Sequence, residues 1–384
     1  MPKSSRTFDI TLYGATGFTG QLVAQYLSKK AAQKKLKIAI AGRNADKLFA
    51  LKNKLLALNP KLLDIGVVIA STAQQDSLEK MAGDTRVIIN TVGPYYLHGE
   101  PLVKACINQR THSVDLNGEP DYSQNIFKYY NFPAERSGTM IISSCGFDSV
   151  PADLGAFYTA KLLGEGNNKT IRCYVTVKGG ISGGTWNSAM KIFDEVNEAF
   201  LTEPPFKFGN GTIPGFHNQK DIKLWAVPLP VIDPMIVRRS TFSRKDIYGE
   251  NFSFGHFAGM KSSWIAGGFV AGVGILYGAS RIDFIRKQLL KLIESGEGPS
   301  EKQRAKSFFK LYFVGESQGK QVKATVSGGD PGYTETSKMI SEAALTIVDN
   351  YDQLNKGGVL APAGALGELY LDNLQQNGIH FEQI

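Results

Sequence analysis

Residues 8–20 read Phe-Asp-Ile-Thr-Leu-Tyr-Gly-Ala-Thr-Gly-Phe-Thr-Gly, a short apolar run that passes directly into a glycine-rich turn. The run predicts a buried strand, and the amphipathic residues 21–30 predict a helix after the turn. In such a unit Gly14 permits a tight turn, Gly17 permits close approach of phosphates, and Gly20 lets the helix pack on the strand. The N–H groups at the helix start favour an anion at the same place. The turn therefore predicts a dinucleotide site formed by Gly14, Thr16, Gly17, Phe18, Thr19 and Gly20.

The end of the second predicted strand bears on which dinucleotide binds. An acidic residue there would hydrogen-bond a free ribose hydroxyl and select NAD. The predicted strand at 36–41 is followed instead by Gly42 and Arg43, with Lys47 one turn further. A guanidinium suits a 2′-phosphate by charge and by bidentate geometry, although a solvated surface arginine is the alternative. We therefore predict NADP(H), with Arg43, Asn44 and Lys47 at the phosphate.

Short apolar runs and helical stretches alternate through the first 150 residues. This alternation is typical of an α/β fold, a Rossmann-type doubly wound parallel sheet whose ligand crevice lies at the carboxyl ends of the strands. Strands are predicted near residues 8–13, 36–41, 64–70, 86–91, 111–116 and 139–144. Helices are predicted near residues 18–31, 44–58, 74–82, 99–109 and 121–137.

The pattern changes after residue 150, which predicts three parts of the chain. Residues 1–150 form the NADP-binding domain, residues 151–330 an inserted α+β substrate domain, and residues 331–384 a segment that packs back on the first domain. Within the inserted domain we predict strands at 171–177 and 324–327, a helix at 186–200, and a long irregular segment at 203–260. The C-terminal segment is expected to hold helices at 336–349 and 363–376 and an edge strand at 379–384.

Composition excludes several functional classes. The 384 residues include 43 basic and 35 acidic side chains, a net charge of +8 that favours acidic cofactors, anionic thioester carriers or anionic lipid. No basic stripe with interleaved aromatics is present, so nucleic acid is not an expected partner. The three cysteines have no paired spacing, which argues against a disulfide framework or a metal site and favours a reducing, cytoplasmic compartment. No apolar run precedes the first strand, so no secretory signal is expected.

One stretch resembles a membrane segment. Residues 262–280 carry no charge, lie between Lys261 and Arg281, and have Trp264 and Tyr277 near their ends. Five glycines lower the hydrophobicity, so we favour a buried or interfacial segment, which could line a lipid tunnel, over a membrane span. The helix predicted next is basic and could rest on anionic lipid. Residues 262–293 are therefore the candidate for peripheral membrane contact.

The loops after the predicted strands hold the candidate chemistry. Ser71 follows the third strand, and the fourth is followed by residues that would run beside the cofactor, namely Thr91, Val92, Gly93 and Pro94. Cys145 follows the sixth strand and is also assigned to the cofactor, with a small buried side chain as the alternative. Tyr95 and Tyr96 are the candidate hydrogen-bond donors, and Asp148 would position the loop. Packed aromatics and a helix cap are the alternatives for these three.

In order along the chain, eight segments together resemble the saccharopine dehydrogenase-like oxidoreductase family, and within it the trans-acting enoyl reductases. They are Gly14-Ala-Thr-Gly-Phe-Thr-Gly20, Ala41-Gly-Arg43, Asn90-Thr-Val-Gly-Pro-Tyr95, Gly99-Glu-Pro-Leu-Val103, His112-Ser-Val-Asp-Leu-Asn-Gly-Glu119, Cys145-Gly-Phe-Asp-Ser-Val-Pro151, Asp330-Pro-Gly-Tyr333 and Gly357-Gly-Val-Leu-Ala-Pro-Ala-Gly-Ala-Leu366.

The resemblance implies a cofactor domain with an inserted domain, and reduction of unsaturated lipid-linked intermediates. It also implies an association with membranes or lipid droplets, as in eukaryotic relatives. The expectation is thus an NADPH-dependent reductase of a lipid-linked enoyl substrate, in lipid or glycolipid metabolism. A homodimer is one oligomeric state left open. The alternatives are an imine or amino-acid dehydrogenase and a non-catalytic NADP-binding protein at a membrane.

Overall fold

The computed structural model describes residues 6–62, 64–179, 206–289, 299–354 and 356–384. The predicted helix at 186–200 lies outside these ranges. The chain divides into two compact units. The first comprises Met1–Val150 and Tyr333–Asn377, and the second Pro151–Gly332 and Gly378–Ile384.

A seven-stranded sheet, parallel throughout, forms the centre of the first unit. Its strands are β1 (Phe8–Tyr13), β2 (Ile38–Gly42), β3 (Gly66–Ile69), β4 (Thr85–Asn90), β5 (His112–Asp115), β6 (Met140–Ile142) and β14 (Gly358–Leu360). Their spatial order is β14-β6-β5-β4-β1-β2-β3, so the direction of winding reverses between β1 and β4. Ligands bind at such a switch point, at the carboxyl ends of the strands. The predicted Rossmann-type fold is confirmed.

Helices cover the sheet of the first unit. They are α1 (Phe18–Lys34), α2 (Ala45–Leu58), α3 (Gln75–Gly83), α4 (Tyr95–Gln109), α5 (Pro120–Ser137), α12 (Thr336–Asp349) and α13 (Pro362–Gln376). Sheet residues such as Leu12, Ile40 and Ile88 are fully buried beneath them. Each such side chain contributes roughly 1.5–3 kcal/mol to folding. Helix α4 starts at Tyr95, earlier than the predicted 99–109, which places both tyrosines in its first turn.

The second unit has a mixed sheet. Its strands are β7 (Asn168–Lys178), β8 (Lys207–Phe208), β9 (His217–Gln219), β10 (Leu224–Pro228), β11 (Asn251–Met260), β12 (Phe308–Ser317), β13 (Lys320–Gly328) and β15 (His380–Gln383). The spatial order is β15-β13-β12-β7-β11-β10-β9, and β8 pairs with β11. The prediction of an irregular segment at 203–260 was wrong. Gly255 interrupts the apolar pattern of β11, yet a Cβ there would lie 2.5 Å from Ile213 Cγ2, so packing requires this glycine.

The end of the chain also differs from its prediction. Residues 331–384 were expected to pack on the first unit as one segment, but residues 378–384 belong to the second. The cause is β15, which pairs antiparallel with β13, with Phe381 opposite Val326. Phe381 is buried there and meets Tyr158 edge to face.

Six α-helices accompany the second sheet in the described ranges. They are α6 (Val150–Leu163), α7 (Asp233–Ser243), α8 (Lys245–Tyr248), α9 (Ser263–Ser280), α10 (Asp283–Leu289) and α11 (Glu301–Arg304). By length and composition α9 could cross a membrane, but only 11% of it is buried. Trp264 and Ile275 are 89% and 74% exposed. Of the two alternatives expected for residues 262–280, a buried and an interfacial segment, the buried one was therefore wrong. The helix contacts β10 and β11, and only Ala266 and Ser280 are buried among its residues.

Candidate cofactor and active site

The glycine-rich turn after β1 is held in place by two of its glycines. Gly14 has φ +87°, and a Cβ there would lie 2.7 Å from Thr91 Oγ1, so the loop after β4 can approach only a glycine. A Cβ at Gly20 would lie 2.2 Å from the Gly14 carbonyl oxygen. Both residues are therefore required by the protein's own packing.

Gly17 differs from these two glycines. A Cβ there would meet only the Gly14 carbonyl oxygen, at 3.5 Å, which is an ordinary contact. Gly17 is also the N-cap of α1, where no side chain caps the helix and no acidic residue lies in the first turn. The N–H groups of an uncapped helix start attract anions, and the missing side chain leaves room for one. The turn thus fits a pyrophosphate, held by the backbone from Gly17 to Gly20.

The loop after β2 presents basic side chains. Arg43 and Lys47 are exposed, and no ion pair with Arg43 occurs in the ranges that the structure describes. Arg43 lies near Tyr13, whose pKa is raised by burial and lowered in part by the Arg43 charge. Asn44 caps α2, since its Oδ1 accepts from Lys47 N at 2.9 Å. The Asn44 oxygen is thus already used, whereas the two cations suit a 2′-phosphate.

The loops after β3 and β4 approach the same region. Thr91 Oγ1 donates to the Tyr13 carbonyl oxygen at 3.0 Å, and Val92 N donates to Asn90 Oδ1 at 3.0 Å. Ser71 belongs to the turn after β3, where its N–H donates to Ser77 Oγ at 3.0 Å. The next residue, Thr72, has its backbone at the Tyr13 hydroxyl. The structure thus brings these loops beside the glycine turn, while Gly93 and Pro94 lead into α4.

Tyr95 is a structural residue in this geometry. It is 7% exposed, and its hydroxyl donates to the Asn90 carbonyl oxygen at 3.0 Å and accepts from Leu116 N at 3.1 Å. Burial, and next the nearby Asp115 charge, raise the pKa of the phenol well above its ordinary value. The Tyr95 hydroxyl thus links the ends of β4 and β5, and its proton is used in the bond to Asn90. The geometry therefore gives no support to Tyr95 as a hydrogen-bond donor to substrate.

A chain of polar side chains ties together the loops after β4, β5 and β6. Asp115 Oδ1 accepts from Asn117 N and from Ser144 N, both at 2.9 Å. Asn117 Oδ1 in turn accepts from Glu119 N at 2.7 Å. The Glu119 carboxylate then accepts from Tyr95 N at 2.9 Å and from Tyr96 N at 2.8 Å, which satisfies the start of α4.

The sequence prediction missed this positioning role of Glu119. A signal was present in the alternation of polar residues from the last residue of β5 onward, at 115, 117 and 119. Each of these side chains can accept a hydrogen bond from a nearby backbone N–H.

The two other candidate residues, Tyr96 and Asp148, are both near this network. Tyr96 is 53% exposed in the first turn of α4. A Cβ at Gly118 would lie 3.4 Å from Asp148 Oδ2, so the loops after β5 and β6 meet there. The Asp148 residue is exposed, yet protein atoms around its carboxylate desolvate it in part and raise its pKa. A carboxyl of this kind holds its proton at higher pH than an ordinary aspartate.

Cys145 has its side chain in the interior. It is fully buried, its N–H donates to the Asp115 carbonyl oxygen at 2.7 Å, and its Sγ lies 3.5 Å from the Ile142 carbonyl oxygen. The Cys145 thiol is therefore directed into the protein interior and offers no surface to a ligand.

The fold and this site define the class of Rossmann-type nicotinamide oxidoreductases. The family model of the saccharopine dehydrogenase NADP binding domain matches residues 10–141, which include the glycine turn and Arg43. A trans-acting enoyl reductase of Mycobacterium ulcerans is 30% identical over 418 residues, covering 99% of this chain and 98% of the relative. The chain therefore belongs to the saccharopine dehydrogenase-like oxidoreductase family, and it is an NADP-dependent oxidoreductase.

One further relative in sequence and one solved structure are also similar to this chain. A protein of Caenorhabditis elegans named lipid droplet localized protein is 30% identical over 424 residues, covering 98% of both chains. The apo saccharopine dehydrogenase (L-Glu forming) of Saccharomyces cerevisiae has a similar fold, with a TM-score of 0.54, 13% identity, and coverage of 98% of this chain and 100% of that one. At this identity the second likeness concerns the fold alone.

Proposed function

We propose that the protein is an NADPH-dependent reductase of an unsaturated acyl substrate linked to a lipid or to another carrier, in lipid or glycolipid metabolism. The name of the mycobacterial relative supports enoyl reduction. The observation that carries the lipid part is α9, an uncharged helix of 18 residues that the protein leaves almost entirely exposed. A reductase of water-soluble amino dicarboxylates has no evident use for such a helix.

The cofactor would be held by the backbone at Gly17 to Gly20 and by the side chains of Arg43 and Lys47. The room at Gly17, the uncapped start of α1 and the exposed cations are the features that fit it. When bound, NADPH supplies the hydride. The loop Thr91 to Pro94 is proposed to line its further course, with Ser71 and the Cys145 backbone beside it.

Reduction of an enoyl group places negative charge on the carbonyl oxygen, which must be met by a hydrogen-bond donor. Asp148 is proposed for this role, because it lies where the loops after β5 and β6 meet and because its raised pKa favours the protonated form and thus its O–H. Tyr96 is the second candidate, since its ring is exposed and its backbone is fixed by Glu119. Tyr95 is assigned to positioning, because its hydroxyl connects two strand ends.

We further propose that the enzyme works in the cytoplasm at a lipid surface that α9 contacts. The exposed side chains of α9 and the segment after it include Trp264, Ile265, Val270, Ile275, Ile282 and Phe284. Exposed apolar patches of this extent mark interaction sites in soluble proteins. The name of the nematode relative agrees with a lipid partner.

The test is oxidation of NADPH by the purified protein, measured with 2-enoyl thioesters of increasing chain length and, in parallel, with imines formed from lysine and 2-oxo acids. We expect turnover with enoyl substrates only and a rate that rises with chain length. Asp148→Asn should lower kcat by about 10²-fold or more while NADPH still binds. Turnover with the imines alone would overturn the proposal in favour of a saccharopine-type activity. Binding of NADPH with no turnover on either panel would indicate a non-catalytic protein.

A further inference from the structure

The segment that contains α9 leaves and rejoins the second sheet at the same end. In the parallel pair β7–β11, Val175 lies opposite Ala258, and the same register continued places Lys178 beside Lys261. Strand β12 begins at Phe308, which lies directly opposite Lys178. The chain thus departs at Lys261 and returns at Phe308, in one transverse row of the sheet. With β7 between them, the two points are about 10 Å apart.

The residues that follow α9 are too highly charged to cross a membrane. Helix α9 itself is about 27 Å long and uncharged, close to the thickness of a hydrocarbon core. Residues 281–297 then contain Arg281, Asp283, Arg286, Lys287, Lys291, Glu294 and Glu297. Passage of such a segment through hydrocarbon is strongly disfavoured. A chain that crossed with α9 would have to cross back with this segment to reach β12.

We propose that α9 is a monotopic anchor, which immerses in a single leaflet and enters and leaves it from the same side. A helix of 27 Å that keeps both ends at headgroup level must lie at a steep tilt to the membrane normal or parallel to the surface. This inference rests on the lipid contact proposed above and adds its topology and its charge preference.

The charges around α9 match an anionic headgroup layer. Exposed lysines occupy the sheet end next to the helix start, at Lys178, Lys223 and Lys261. Among the exposed residues that the structure describes at this sheet end, Asp221 and Glu301 are acidic, and Asp221 Oδ1 lies 3.8 Å from Lys323 Nζ. Beyond the other end of α9, Arg281 Nη2 donates to the Tyr277 hydroxyl at 2.6 Å. Aromatic rings beside basic side chains at both ends are typical of a helix whose two ends lie in the interface.

The topology is tested with single cysteines and a membrane-impermeant maleimide added outside sealed vesicles of phosphatidylcholine and phosphatidylserine. The native Cys106, Cys145 and Cys173 are buried, so background labelling is low. Ser263→Cys and Ile282→Cys mark the two ends of α9, and Val270→Cys marks its middle. We expect vesicles to protect Val270→Cys and to leave both ends labelled.

The outcomes separate the two proposals. Protection of Ile282→Cys together with labelling of Ser263→Cys would show a span and overturn the monotopic arrangement, although the lipid contact would stand. Equal labelling of Val270→Cys with and without vesicles, without co-sedimentation, would overturn the lipid contact itself.

The charge preference is tested by co-sedimentation with vesicles that contain or lack phosphatidylserine. Lys223→Gln and Lys261→Gln should each weaken binding to the anionic vesicles about fivefold and leave binding to neutral vesicles unchanged. Lys54→Gln, at an exposed lysine of α2 in the first unit, is the matched control. Binding of the unaltered protein to both vesicles with equal affinity would overturn this part of the inference.

Discussion

The glycine turn of the first unit and helix α9 of the second use glycine in opposite ways. In the turn, Cβ atoms at Gly14 and Gly20 would collide with neighbouring atoms at 2.7 and 2.2 Å, so the protein itself requires both residues. In α9, a Cβ at Gly267, Gly268, Gly272, Gly274 or Gly278 would meet nothing within 4 Å. A glycine that is needed by its surroundings indicates a rigid site, whereas glycines in open space indicate a surface whose partner lies outside the chain.

The largest expected effect is on the rigid side of this comparison. Gly20→Ala places a methyl group against the Gly14 carbonyl oxygen and should lower the free energy of unfolding by about 3 kcal/mol. Gly17→Ala is the matched control, because its Cβ meets only an ordinary contact. It should change stability by about 0.5 kcal/mol or less but weaken NADPH about tenfold, since its methyl group occupies the room left for phosphate. Urea unfolding and calorimetric titration measure both, and equal stabilities of the two variants would contradict the distinction.

The next effect concerns Arg43. Arg43→Ala should raise the Kd for NADPH by roughly 10- to 100-fold, as expected for a charge-assisted pair with a 2′-phosphate, and leave the Kd for NADH unchanged. Lys54→Ala serves as the control for a general loss of positive charge. An equal loss of affinity for both coenzymes would remove Arg43 from cofactor selection.

The two tyrosines at the start of α4 should behave differently. Tyr95→Phe leaves the Asn90 carbonyl oxygen and Leu116 N without their partner and should cost about 1–3 kcal/mol of stability. Its kcat should stay within about twofold of the unaltered enzyme below the melting temperature. Tyr96→Phe should leave stability unchanged, because that ring is exposed. A large fall in kcat for Tyr95→Phe without a loss of stability would show that the Tyr95 hydroxyl takes part in catalysis.

A substitution at Ile275 tests whether the exposed helix α9 contacts lipid. Ile275→Glu should change the free energy of unfolding in solution by about 0.5 kcal/mol or less, since the side chain is 74% exposed. The same variant should bind vesicles at least about tenfold more weakly, because a carboxylate enters lipid with difficulty. Loss of stability in solution would show that α9 packs within the protein.

The smallest effect is the pH dependence contributed by Asp148. Its pKa is raised in the folded protein, so its contribution to stability is present below the unfolded pKa and is lost as the pH rises through the folded one. Asp148→Asn should therefore melt slightly higher than the unaltered protein at pH 7, with a difference that disappears towards pH 3.5. A difference that grows as the pH falls would contradict the direction of this shift.

The cofactor region could be predicted from sequence because its signals are local. The turn Gly14 to Gly20 and the position of Arg43 depend on neighbours within one strand and one helix. The roles of Tyr95 and Glu119 depend instead on where β4 and β5 end relative to each other. The relative position of these two strand ends is set by the pairing of β4 with β5 in the fold, and the spacing of residues 90–119 does not reveal it.

The second unit was predicted less well for the same reason. Strand β11 is rich in glycine and phenylalanine, and only its neighbours β7 and β10 make an extended strand of it. Apolar composition identified the stretch that forms α9, but composition cannot tell whether neighbours cover it. Exposure of Trp264 and Ile275 is a property of the assembled fold.

The short gap between Lys261 and Phe308 also makes the anchor removable. Strand β7 pairs with both β11 and β12 and so joins the two points within the sheet. In the described ranges, no strand pairing involves residues 262–307. A glycine–serine linker of about six residues would bridge the gap. The truncated chain is expected to stay in solution, which offers a form of the enzyme suited to crystallisation.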